Sequence, residues 1–172
     1  MKSVISYLTE KRIISKSIMQ QKIDKETLRK MILDGDDITN VDYSDIDNMD
    51  GLLQNSDIEY IPDSFDMSKV TSAKNMFSGC HKLKIIPNLD TSNLRYMDFM
   101  FYNCPELKVI PALNTAKVES MRKIFDYCDS IETIQRPSDW YLYDWDSALS
   151  PDDSKLKNKY PQLYDKTLRT KD

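Results

Sequence analysis

The sequence predicts an α/β fold, a solenoid of about four 24-residue coils with a helical cap at each end. Two observations predict it. Apolar residues recur in register: Val41, Phe65, Leu89 and Leu113 form one column, Ile46, Val70, Leu94 and Val118 a second, and Leu53, Phe77, Phe101 and Phe125 a third. Ser56, Cys80, Cys104 and Cys128 then close successive units. A chain folding around one core has no reason to repeat its apolar pattern at fixed spacing. Stacked coils do, because each buries its face only against its neighbours. The period also moves the functional expectation from catalysis towards presentation of a surface.

The units can be laid out from the clearest one, HKLKIIPNLDTSNLRYMDFMFYNC at 81–104, followed by PELKVIPALNTAKVESMRKIFDYC at 105–128. Residues 57–80 carry one residue fewer before their proline and one more after it, so the register returns at Phe65. Residues 41–56 match the second half of a unit without a gap, and DSIETIQRP begins a fifth coil that stops at Pro137. Each coil opens with a short β run, in which Leu83 and Ile86 point inward and Lys84 and Ile85 outward or to the edge, and a proline ends the pairing. Its second part has apolar residues at 94, 97, 100, 101 and 104, a helical or 3₁₀ stripe. Between the two parts stand Asp42, Asp66, Asp90 and Asn114. These side chains can cap the following turn, so the aspartates read as a stack of caps and not as catalytic acids. The three cysteines share one core position and read as buried, reduced thiols, not as disulfide or metal ligands.

The string DTSNLRYMDFMFYNC, preceded by LKIIP, resembles the leucine-rich repeats of the BspA-like bacterial and phage family, whose unit reads D-T-S-N-V, then M-x-x-M-F, x-x-C and S-x-L. Residues 81–104 match almost throughout; 105–128 match with Asn114 and Ile124 as departures, and 57–80 with Met67 and Ala73. The resemblance covers about 38–135. It implies a right-handed, leucine-rich-repeat-like solenoid that acts by binding, and it transfers no catalytic residues. Many members of that family carry a signal or lipid anchor, and this sequence reads as having neither. The segment with Met1, Lys2, Ser3, Tyr7, Leu8 and Glu10 resembles the capsid-targeting leader of head-packaged proteins in large tailed phages. That resemblance implies a virion setting. Val4, Ile5 and Leu8 would put an apolar strip on a short amphipathic helix, which could dock on a partner or pack on the chain's own cap.

The ends divide the chain into an N-terminal arm and capping helix (1–35), the repeat region (36–136) and an aromatic cap with a helical tail (137–172). The spacing predicts a helix over Asp24–Leu33: Asp24 N-caps it, Leu28, Met31 and Ile32 share a face, and Gly35 ends it. The aromatics of Trp140–Trp145 read as a lid over the last coil. Ser150 and Pro151 begin a short helix that breaks at Pro161. The formal charge of −4 is segregated: 1–30 carry a net +5, 31–66 carry eleven acids and no base, and 67–136 carry +3. The asymmetry suggests a separate partner for one end or an arm that folds onto the acidic segment, and a plain solvated charged surface is the reading that stands ahead of both.

Chemistry is hard to place on this chain. It has no GxxxxGK[ST], GxGxxG or HExxH pattern. Its one histidine, His81, follows a core position. In the acidic stretch, counting back from Gly51 as an EF-hand glycine puts Ile46 where a ligand must stand, so a calcium loop fails. No run reaches the ~20 apolar residues of a membrane span, no secretory signal is seen, and the acidic balance argues against nucleic acid. The expectation is therefore a cytoplasmic or virion-associated protein, with no catalytic residues, no cofactor, no metal and a protein partner. Its function would be a non-enzymatic interaction module in a phage particle, with a soluble inhibitor or host-interaction protein as the alternative. The expected partner-binding residues are Glu59, Lys84, Lys108 and Glu132 in one row, Tyr60, Ile85 and Val109 beside them with Thr133, and Val4, Tyr7 and Leu8 on the arm.

Overall fold

A computed structural model describes residues 22–135 and the single helical position Asn158. Helix α1 spans Lys25–Asp34. Asp24 accepts the Thr27 N–H at its start, and Gly35, at φ 70°, closes its end by donating to the Ile32 carbonyl, while the Asp36 N–H reaches Met31. Leu28, Met31 and Ile32 are buried and join one apolar cluster with Ile38, Leu52 and Leu53. The expected lid at 140–145, the tail helix other than Asn158, and the arm at 1–21 lie outside the described residues.

The α/β solenoid with helical caps is not what the chain forms. Regular structure among the described residues is α1 and one two-stranded parallel sheet, β1 (Val109–Ile110) with β2 (Thr133–Ile134). The remainder is turns and single bridges. Two physical reasons account for the difference. Tyr60, Ile85 and Val109 bridge in line with Thr133, but each run stops at Pro62, Pro87 or Pro111, which has no N–H to donate. At the corresponding place in the last unit stands Gln135, whose N–H does donate to Ile110 at 2.9 Å, and only there does a second residue pair join.

The second reason concerns the stripe expected to be helical. In an α-helix every N–H past the first turn is bonded within the helix. Here alternate N–H groups leave the segment. Those of Met97, Phe99, Phe101 and Asn103 donate to the carbonyls of Ser120, Arg122, Ile124 and Asp126 at 2.8–3.1 Å. Met49, Gly51, Leu53 and Asn55 do the same to Ser72, Lys74, Met76 and Ser78, and Ala73, Asn75, Phe77 and Gly79 to Tyr96, Asp98, Met100 and Tyr102. The N–H groups between them turn back locally, as Met100 to Met97 and Tyr102 to Phe99. What repeats along the chain is thus a run of tight turns. The backbone is left-handed at Gly51, Asn75, Phe99 and Lys123 and again at Asn55, Gly79, Asn103 and Tyr127, two columns spaced like the apolar ones. At Gly79 a Cβ would fall 2.2 Å from Asn55 Oδ1, so glycine serves both the angle and the space.

The columns supply the core. Leu53, Phe77, Phe101 and Phe125 are fully buried, and the rings of Phe77, Phe101 and Phe125 stack at 5.4 and 5.9 Å with interplanar angles of 3° and 9°. Met97 and Met100 fill in beside them. Each cysteine thiol donates to the carbonyl that precedes it by a little more than one unit: Cys80 to Leu53, Cys104 to Phe77 and Cys128 to Phe101, at 2.9–3.1 Å. Burial pushes the Cys80 thiol up from its ordinary pKa. Asp42, Asp66, Asp90 and Asn114 each accept the N–H two residues on, at 2.8–3.0 Å, as caps of their turns.

A further column alternates in charge, Asp50, Lys74, Asp98 and Arg122. Asp98, whose side chain is 4% exposed, accepts from Ser120 Oγ at 2.5 Å and from the backbone and Nε of Arg122 at 3.0 and 3.1 Å. Asp50 accepts equivalently from Ser72 Oγ and the Lys74 N–H. Between these pairs Lys74 Nζ sits 4.6 Å over the Tyr96 ring. Burial alone would raise the Asp98 pKa, but the bonds from Ser120 and Arg122 outweigh it and hold the carboxyl below its ordinary value.

Three outcomes follow for the fold. Phe101→Ala removes the middle ring of the stack and lowers stability by roughly 3–5 kcal/mol; denaturant titration measures it, and a melting temperature equal to wild type would remove the ring column from the core. All three thiols are buried and react slowly with a thiol reagent until denaturant exposes them. Because the folded pKa of Asp98 lies below its unfolded value of ~3.9, its contribution is complete above that range and is lost as pH falls through the lower folded value. Asp98→Asn should therefore flatten the loss of melting temperature between about pH 5 and pH 2, and a slope identical to wild type would show that the carboxylate carries no such linkage.

Candidate functional site

The bridging positions place two rows of side chains on the outside. Inward, Leu83, Ile86, Leu107 and Ile110 are buried, so the two residues between them in each unit face solvent. The outer apolar row is Tyr60, Ile85, Val109 and Thr133, held in line by backbone bridges. Tyr60 is 72% and Ile85 60% exposed. The charged row beside it is Glu59, Lys84, Lys108 and Glu132, joined by Lys84 N–H to Glu59 O, Lys108 N–H to Lys84 O and Glu132 N–H to Lys108 O at 2.8–3.2 Å. The structure thus brings these eight residues together. Val4, Tyr7 and Leu8 fall outside the described residues.

The side chains of the charged row pair outward. Lys84 Nζ lies 2.9 Å from Glu59, and Lys108 Nζ 3.4 Å from Glu132. The Lys84 hydrogen bond holds the Glu59 carboxyl below its ordinary pKa, and Glu59 in turn raises that of Lys84. Lys82 pairs with Asp57 at 3.4 Å on the same flank. These pairs are solvent-exposed, so they set the electrostatic pattern of the face more than its stability.

A second surface feature was not expected from the sequence. Phe99, Tyr102 and Tyr127 meet edge to face, with centroids 5.7 and 5.2 Å apart. Phe99 and Tyr127 are left-handed, at φ 58° and 61°, in columns where the other units carry glycine or asparagine except at Lys123. Such an angle costs a bulky residue roughly 1–2 kcal/mol. The signal was present in the sequence as two aromatics standing in turn columns. Nearby, His81 Nε2 lies 3.0 Å from Asn103 Nδ2, an exposed pairing.

A small cleft of about 160 Å³ opens between the segments around Ile38–Ile46 and Ser64–Val70. Its carboxylates, Asp42 and Asp66, are occupied in turn caps, and the Tyr43 hydroxyl, buried at its side, accepts the Asp66 N–H at 2.7 Å. At the acidic end the basic segment folds back: Lys22 pairs with Asp45 at 2.5 Å, Lys25 donates to the Asp50 carbonyl, and Arg29 to that of Leu52. Among the described residues no helix is long and apolar enough to cross a membrane.

No curated protein and no solved structure matches the chain. Residues 19–140 match the family described as "Mycoplasma protein of unknown function, DUF285", which takes in α1 and every repeat described above. The chain therefore belongs to this family of repeat-containing proteins, which is related to the BspA-like repeat proteins.

Proposed function

We propose that the protein is a non-enzymatic binding module that holds a protein partner on the paired rows running from Glu59 and Tyr60 to Glu132 and Thr133. The observation that carries this reading is the adjacency of Tyr60 and Ile85, two large side chains left exposed on neighbouring bridged positions. Fully burying such a side chain is worth ~1.5–3 kcal/mol, and a contiguous apolar strip rimmed by charges suits a partner surface. The titratable groups support binding over catalysis. Asp37, Asp42 and Asp90 are held below their ordinary pKa by the side chains and then the N–H groups of Thr39, Ser44 and Ser92 in the turns they cap, and Glu59 and Glu119 by hydrogen-bond and ion-pair partners. Groups held ionised in this way serve structure, whereas a general acid at neutral pH needs a raised value.

Two settings are compatible with this reading. The resemblance of residues 1–10 to a packaging leader supports a protein carried into a phage head. The family description names a Mycoplasma protein of unknown function and so does not itself point to a phage; the alternative setting is a soluble host-interaction protein or inhibitor working through the same face.

Tyr60→Ser with Ile85→Ser should leave the melting temperature near wild type and abolish retention of the partner in cross-linking and pull-down. If the folded double variant retains the same proteins as wild type, the face is not the binding surface. Removal of residues 1–12 separates the settings. In the virion setting the truncated chain keeps its circular dichroism spectrum and loses co-sedimentation with particles. In the soluble setting it keeps both its spectrum and its partner.

A further inference from the structure

We infer that the face takes an acidic, apolar segment of its partner, with a carboxylate between Lys84 and Lys108 and an apolar side chain against Tyr60 and Ile85. This rests on the binding reading above and narrows it to one chemistry.

The argument is the order of charges along the row: acid, base, base, acid. Lys84 and Lys108 occupy neighbouring positions, linked by the Lys108 N–H to the Lys84 carbonyl at 3.2 Å. Like charges placed side by side on adjacent strands oppose each other. The row answers with a glutamate at each end, and each lysine is drawn outward to it. Each glutamate is paired with its lysine, Glu106 also acts on Lys84, and the two ammonium groups between the glutamates stay half-exposed to solvent. A carboxylate arriving there meets two ammonium groups and relieves their repulsion. A cationic group arriving there meets the lysines first and must break an existing pair to reach a glutamate.

The apolar half of the segment follows from the neighbouring row. Ile85 adjoins Lys84 in sequence and Tyr60 adjoins Glu59, so the exposed apolar pair lies beside one flank of the positive centre. Val109 continues the apolar row past Lys108, half-buried. A segment that combines acidic and large apolar residues satisfies both rows at once.

The test uses an array of octapeptides drawn from Leu, Tyr, Gly and one variable residue, either Glu, Gln or Lys, read by fluorescence anisotropy against the full chain. The Glu set should bind at least about tenfold more tightly than the Gln and Lys sets, and weaken as salt rises to about 0.5 M. K84Q with K108Q should lose that preference, with the Glu set falling about tenfold, while E59Q with E132Q keeps or strengthens it. The inference is overturned if the Lys set binds as well as the Glu set, if K84Q with K108Q changes nothing, or if the Glu set does not bind. Failure of the wider reading looks different. If Gln or Lys peptides bind and Tyr60→Ser with Ile85→Ser removes them, the face binds and only the acidic chemistry is wrong. If no peptide responds to either double variant, the face itself is wrong.

Discussion

The division of backbone N–H groups between neighbouring and local partners is the constraint on which the structure depends. In the turn segments one N–H in two reaches the following unit and the next one turns back within its own. A regular helix would keep all of them, and a regular strand would send none back. The compromise requires the chain to reverse its twist twice per unit, which is why left-handed residues recur in two columns. Once that backbone is set, side chains one unit apart are forced into register. The Phe77, Phe101 and Phe125 stack, the thiols against the carbonyls of the preceding unit, and the alternating column of Asp50, Lys74, Asp98 and Arg122 all follow from it.

The first unit shows what the arrangement needs at its start. Among the described residues no unit precedes it to supply N–H groups to its outward carbonyls. Helix α1 supplies donors instead: Lys25 and Arg29, one turn apart, reach the carbonyls of Asp50 and Leu52. In later units the carbonyls at the same places, those of Lys74 and Met76, accept from Gly51 and Leu53. Two long side chains thus stand in for two backbone groups, and Leu28, Met31 and Ile32 cover the apolar side beneath them. Leaving such carbonyls buried and unpaired is the costly alternative.

Much of this was legible. Asp24, Gly35 and the buried face of α1 were read from local capping and periodicity. The columns and the one-residue shift before Phe65 were read from the repeat, and the shift reappears as a Tyr60 to Ile85 bridge followed by Ile85 to Val109. The class of the fold was misread for a physical reason. Apolar spacing at 94, 97, 100 and 101 suits a helix, and it equally suits consecutive turns that bury the same side. The discriminating residues were the turn formers, Gly51, Asn55, Asn75, Gly79 and Asn103, aligned in two columns. The rows of the candidate site were visible as columns, but the outward pairing of Lys84 and Lys108 depends on side chains from units far apart in sequence.

The bridged rows also act as a ruler. Each added unit lengthens the face by one inter-strand step of ~4.8 Å, while the backbone bonds at each junction remain the same. Excising or inserting a whole unit between equivalent residues such as Leu83 and Leu107 would keep the backbone pattern of the turn segments, but a single unit would break the alternation of Asp50, Lys74, Asp98 and Arg122. The length of the outer rows is therefore quantised in whole units, each set by one more bridge of the same kind.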